Sequence, residues 1–143
     1  MKPVDYAKAL VLAFVIMAVL MLLGYPVVGI YSVLIAPGHL PAFYHAATTG
    51  WLLPWWVHIG GLVLFFFAGW LFTGRVRHRN AYAFMAAMCV WYLIIEILGI
   101  IALGGTDFFA SGGVAWLVPQ FAAAFAGVLL ARLTLPPGEQ PIP

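Results

Sequence analysis

Four apolar runs of membrane-spanning length leave this 143-residue chain few ways to fold. They cover residues 6–36, 51–73, 81–104 and 113–133. A helix crossing the hydrocarbon core of a bilayer needs about 20 mostly apolar residues. Helices satisfy their own backbone hydrogen bonds, which is what a lipid environment demands. The breaks between the runs are short: "PGHLPAFYHAATTG" at 37–50, "GRVRHRN" at 74–80 and "GTDFFASG" at 105–112. Composition agrees, since only 7% of the residues are charged, against roughly a quarter in soluble domains. The expected fold is an all-α membrane protein. It is a four-transmembrane-helix bundle forming one domain over residues 1–135, with a Pro-rich tail at 136–143.

The basic residues orient this bundle. Lys2, Lys8, Arg75, Arg77, Arg79 and Arg132 are all the Lys and Arg in the chain. With four spans, all six fall on one side. Basic residues stay on the cytoplasmic face, so both termini are expected in the cytoplasm and the protein in the cell (inner) membrane as a multi-pass chain. Trp51, Trp55 and Trp56 then mark the outer interface and Trp70 the inner one, as an aromatic belt. The first run is too long for the apolar core of a signal peptide and has no clean cleavage site after it, so it is expected to stay as a helix. A formal charge of +2, without a basic stripe beyond the membrane flanks, gives no reason to expect nucleic acid as a partner. The single cysteine, Cys89, excludes an intrachain disulfide and reads as a small buried hydrophobe.

Membrane helices associate through close packing of small residues and through interhelical hydrogen bonds. Each run, read at helical spacing for such residues, offers one stripe. The first has Ala18, Tyr25, Gly29 and Ser32, and the second His58, Gly61, Phe65 and Ala68. The third has Cys89, Tyr92, Glu96 and Gly99, and the fourth Trp116, Gln120, Ala123, Gly127 and Ala131. All four stripes are expected to meet inside the bundle. Pro26 removes one backbone bond to the carbonyl of Leu22, which predicts a kink beside Tyr25.

Glu96 is the only carboxylate inside any of the long runs away from their ends. At about 1.5 Å per residue, His58 and Gln120 lie about 10 Å below the outer boundary and Glu96 about 12 Å. Three different helices thus bring an imidazole, a carboxyl and an amide to one level. Intramembrane ionisable groups are expensive and mark functional sites by default. Two states suit Glu96: neutral and hydrogen-bonded, or sharing a proton with His58. Interhelical glue is the plainer alternative, at about 0.6 kcal/mol per hydrogen bond.

The functional expectation is a site for a lipophilic small molecule, opening to the outer leaflet. Glu96 and His58 form its centre, as acid or base and partner if the site catalyses proton transfer such as isomerisation of a lipid or terpenoid. Gln120, Tyr25, Tyr92, Trp55, Trp116 and Ser32 are its expected ligand-binding residues. Two other classes fit the same composition. One is an accessory or anchoring subunit of a larger membrane complex, respiratory or quinone-linked. The other is a proton-coupled small transporter built as a homo-oligomer. The sequence assigns no cofactor and no metal site. Bis-His haem ligation lacks a second buried histidine near His58. His39, His45 and Asp107 in the outer breaks match no strong metal spacing. The stretch "AFYHAATTG" is expected to form a short interfacial helix, as a lid or a connector.

Overall fold

In the computed structural model, residues 2–75, 80–102 and 113–134 are described. Helix α1 covers Pro3–Ile30 and tightens into no cap; instead it widens into a π-helical turn at Tyr31–Ile35. Helix α2 covers Pro41–Ala47, passes through a second π-helical turn at Thr48–Leu52, and continues as α3, Leu53–Arg75. Helix α4 covers Ala81–Ala102. A 3₁₀ turn at Gly113–Trp116 leads into α5, Leu117–Thr134. Among the described residues, four helices are long and apolar enough to cross a membrane: Pro3–Ile35, Pro41–Gly74, Ala81–Ala102 and Leu117–Thr134.

The ends of α1 follow from local chemistry. Pro3 occupies the first turn, where its missing N–H costs nothing. Asp5 reaches back, its Oδ2 accepting from the Lys2 N–H at 2.8 Å while its own N–H donates to the Lys2 carbonyl at 2.8 Å. α1 stays helical through Pro26. At its far end the Ala36 N–H bonds the carbonyl of Tyr31, five residues back, at 2.9 Å, which defines the wide turn. Gly38, at φ +83°, turns the chain where a side chain is disfavoured. The Tyr44 hydroxyl then fastens the turn from α2, donating to Ala36 O at 2.7 Å and accepting from the His39 N–H at 3.1 Å. The expected connector helix therefore exists, but it is stacked end to end on α3 through the second wide turn.

Neighbouring contacts fix the helix directions. Trp56 and Gly60 of α3 meet Leu20 of α1, and Leu53 meets Gly24, so these two helices run antiparallel. Phe65 lies against Tyr92 and Phe72 against Phe84, so α3 and α4 are antiparallel. Gly61 meets Gln120 while Phe66 meets Gly127, so α3 and α5 run the same way. α1 therefore starts, and α5 ends, at the same end of the bundle.

The bundle is two tight pairs, α1 with α4 and α3 with α5. The second pair is held backbone to backbone. A Cβ at Gly69 would overlap the Ala124 carbonyl oxygen, and one at Gly127 would overlap the Phe66 carbonyl oxygen. Small residues permit such approaches between membrane helices. The core between the pairs contains Ala13, Ile16 and Leu20 of α1, Phe65 of α3, Met88 and Tyr92 of α4, and Ala124 and Val128 of α5.

The buried face of α1 differs from the expected stripe. It is Ala9, Ala13, Ile16, Leu20 and Gly24, while Tyr25 and Gly29 are exposed. On α5 the buried residues are Leu117, Gln120, Ala124, Gly127, Val128 and Ala131. Trp116 is exposed and Ala123 half-buried. The α3 stripe lies inward as read, and the α4 stripe does so up to Glu96, Gly99 being exposed.

Candidate functional site

A cleft opens between the two helix pairs at the α2 end of the bundle, with a volume of about 900 Å³. Ligand pockets commonly range over about 300–1,000 Å³. Its floor is buried: Leu20 and Gly24 of α1, Leu117 and Gln120 of α5. Its rim is exposed: Met21 and Tyr25 of α1, Trp51 and Trp55 before and within α3, and Trp116. Thr48 and Gly50 of the second wide turn close one side, and Glu96 is the contribution of α4.

Each polar group in this cleft has a local cause. Gln120 is 1% exposed. Its Nε2 donates to the carbonyl of Val57 at 3.2 Å, joining α5 to α3. The amide fits because Gly61 has no side chain, for a Cβ there would stand 2.6 Å from both Cδ and Nε2 of Gln120. Gln120 Oε1 is left buried with no hydrogen-bond partner among the described residues. Glu96 is half-buried on α4, and its Oε2 is likewise buried without a partner. Leaving a buried acceptor unsatisfied costs about 1–3 kcal/mol, so two in one cleft are notable. Trp56 crosses the other way, its Nε1–H donating to Leu20 O at 3.0 Å. That bond holds α1 against α3 beneath the cleft.

His58 lines the cleft, but its ring lies flat on Trp116, with centroids 4.3 Å apart and planes 22° apart. Among the described residues it makes no hydrogen bond to Glu96. The structure thus brings Glu96, His58, Gln120, Tyr25, Trp55 and Trp116 to one cavity. Tyr25 does so from the rim, at 78% exposure. Two expected members do not join them. Tyr92 is 2% exposed and packs between Phe65 and Phe121, with centroids 4.9 and 6.5 Å away. It sits one turn below Glu96, within the core rather than on the cavity wall. Ser32 turns back on its own helix, its hydroxyl donating to Gly29 O at 2.9 Å.

Several cleft residues were not singled out by the sequence reading. Gly24, Thr48 and Gly50 line it, and Gly60 abuts Leu20 and Trp56 beneath it. The available signal was the glycine pair in "HIGG" one turn beyond the tryptophans, which marks a place where another helix or side chain must come close.

Among the described residues no group of three His, Cys, Asp or Glu side chains can hold a metal ion. His39 stacks on Phe43 with centroids 4.1 Å apart, and Asp107 and His78 lie outside the described residues. The chain matches no protein-family model, and neither a curated protein nor a solved structure similar to it was found.

Proposed function

We propose that this chain is a multi-pass protein of the cell membrane, with both termini cytoplasmic, that binds a lipophilic small molecule in the cleft around Gln120 and Glu96. One observation carries the reading. A mostly apolar cavity of about 900 Å³ is lined by Gln120 and Glu96, each of which has one buried side-chain oxygen, Oε1 and Oε2, with no hydrogen-bond partner among the described residues. Pockets of this kind, mostly apolar with a few convergent polar groups, are the default binding sites of proteins. The exposed rim of Met21, Tyr25, Trp55 and Trp116 lets a ligand enter from the lipid side. The cytoplasmic orientation rests on the six basic residues.

Binding is the core of the proposal. Proton transfer within the site requires a substrate that bridges Glu96 and His58, since the two make no hydrogen bond to each other among the described residues. The test is native mass spectrometry of the protein released from mild detergent, compared with a Gly50→Phe variant. Gly50 lines the cleft, and a Cβ there meets nothing within 4 Å among the described residues, so a benzyl group can be added at the cleft wall without a clash at its first atom. A copurifying lipophile of defined mass, reduced at least about tenfold in the variant, is the expected result. Equal retention by both proteins would place the molecule elsewhere and sink the reading.

A further inference from the structure

The polarity of the cleft's hydrogen-bonding groups constrains what kind of head a ligand has. We infer that the cleft takes an amphiphile whose polar head donates hydrogen bonds, such as a long-chain alcohol or amine, and discriminates against heads that only accept. The inference rests on the binding proposal above and adds the chemical class.

The argument starts at Val57. A backbone carbonyl only accepts hydrogen bonds. The Gln120 amide therefore must turn its NH₂ toward Val57 O, at 3.2 Å, and cannot flip without losing that bond. Gly61 leaves the room the amide occupies, since a Cβ there would overlap it. The group left over is Oε1, buried and without a partner, and an amide oxygen is purely an acceptor. Its orientation is thus set by α3 and not by any ligand.

Glu96 adds to this in either protonation state. Ionised, a carboxylate only accepts; protonated, it carries one O–H donor and keeps an accepting oxygen. Its Oε2 is the second unpartnered buried atom of the cleft. The Trp56 indole N–H is committed to Leu20 O. The deepest polar side chain of the floor, Gln120, therefore offers an acceptor. A hydroxyl or amine satisfies it. A head that only accepts leaves Gln120 Oε1 unpaired, which sites built around buried polar groups reject.

The test uses two probes with one tail, 11-bromoundecanol and its methyl ether, added to the protein in phosphatidylcholine nanodiscs. Bromine quenches the fluorescence of Trp51, Trp55, Trp56 and Trp116, which line the cleft. Saturable quenching by the alcohol at a concentration about tenfold or more below that for the ether is expected. The preference should vanish in Gln120→Leu and shrink in Glu96→Leu. Equal saturable quenching by both probes would overturn the donor requirement while leaving the binding proposal standing. A preference for the ether, or one that survives both substitutions, would also overturn it. No saturable quenching by either probe would overturn both. Should Gln120→Leu fail to fold, the wild-type comparison and Glu96→Leu still decide the matter.

Discussion

At the scale of single residues, the notch at Gly61 is the sharpest feature. It admits Gln120, and Gln120 in turn ties α5 to α3 through Val57. Gly61→Ala puts a methyl group 2.6 Å from the amide, so the amide must leave its place. The amide is the end of a flexible side chain, so the cost is mainly its lost bond to Val57 O, about 0.5–1.5 kcal/mol. Thermal unfolding in detergent should report that loss, and Gly61→Ala combined with Gln120→Ala should recover part of it. A single substitution with unchanged stability would show that the notch has slack. Trp56→Phe removes the indole donor to Leu20 O. A loss of about 0.5–1.5 kcal/mol is expected in the same measurement. Residue types were the most readable level of this chain. His58, Glu96 and Gln120 stand out in a sequence with so few polar groups, and all three line the cleft. What could not be read was which way each side chain turns. The sequence leaves His58 as one of two answers for Glu96, and it carries no sign that Trp116 stacks on the His58 ring face.

At the scale of elements, helix number and type follow from apolar run lengths, and the four long helices are there. Helix faces follow less well, for a physical reason. α1 is apolar all round, so neither lipid nor core selects a face by hydrophobicity. Its rare polar residues then seem the best guide, but packing chose a different line. Small Ala9, Ala13 and Gly24 with Ile16 and Leu20 fit the neighbours, and Tyr25, one residue and about 100° further round, was left on the rim. On α5 the correct pivot, Gly127, was visible as a small residue. It selects Ala124 and Val128 as flanking contacts because it must touch the α3 backbone at Phe66 and Trp70. That contact gives a paired prediction. Gly127→Val should destabilise the protein by about 1–3 kcal/mol or more, as overpacking against backbone that cannot move aside. Gly99→Ala, where a Cβ meets nothing within 4 Å, should stay within about 0.5 kcal/mol of wild type. Chemical unfolding of the two variants side by side distinguishes them. The connection at 37–50 reads as a break with a short helix, and from Pro41 it is instead a near-continuous extension of α3. Wide turns are set by one extra residue in the hydrogen-bond ladder, which leaves no compositional mark in "TTGWL".

At the scale of the whole molecule, alternating helix directions put the start of α1 and the end of α5 together, and the loop around Gly38 at the other end. The proposed orientation can be checked directly because Cys89 is the single cysteine and is buried. In a Cys89→Ala background, a cysteine at the exposed Leu40, two residues beyond Gly38, should react with a membrane-impermeant maleimide added to intact cells. A cysteine at Lys2 should react only after the membrane is opened. Reversed labelling would invert the topology and move the cleft to the cytoplasmic side. Native masses from the same preparations separate the remaining classes: a stable larger partner favours an accessory subunit, and a homo-oligomer is required by a transporter.

The cleft's walls belong to different halves of the protein: Leu20 and Glu96 to α1 and α4, Gln120 and His58 to α5 and α3. Whatever fills it is therefore mortar as well as cargo. A guest at a hundred times its dissociation constant adds about 2.7 kcal/mol to the folded state, here concentrated along the joint between the halves. Exhaustively delipidated protein should lose amide-exchange protection first around residues 20–24 and 57–61, and refilling the joint should restore it.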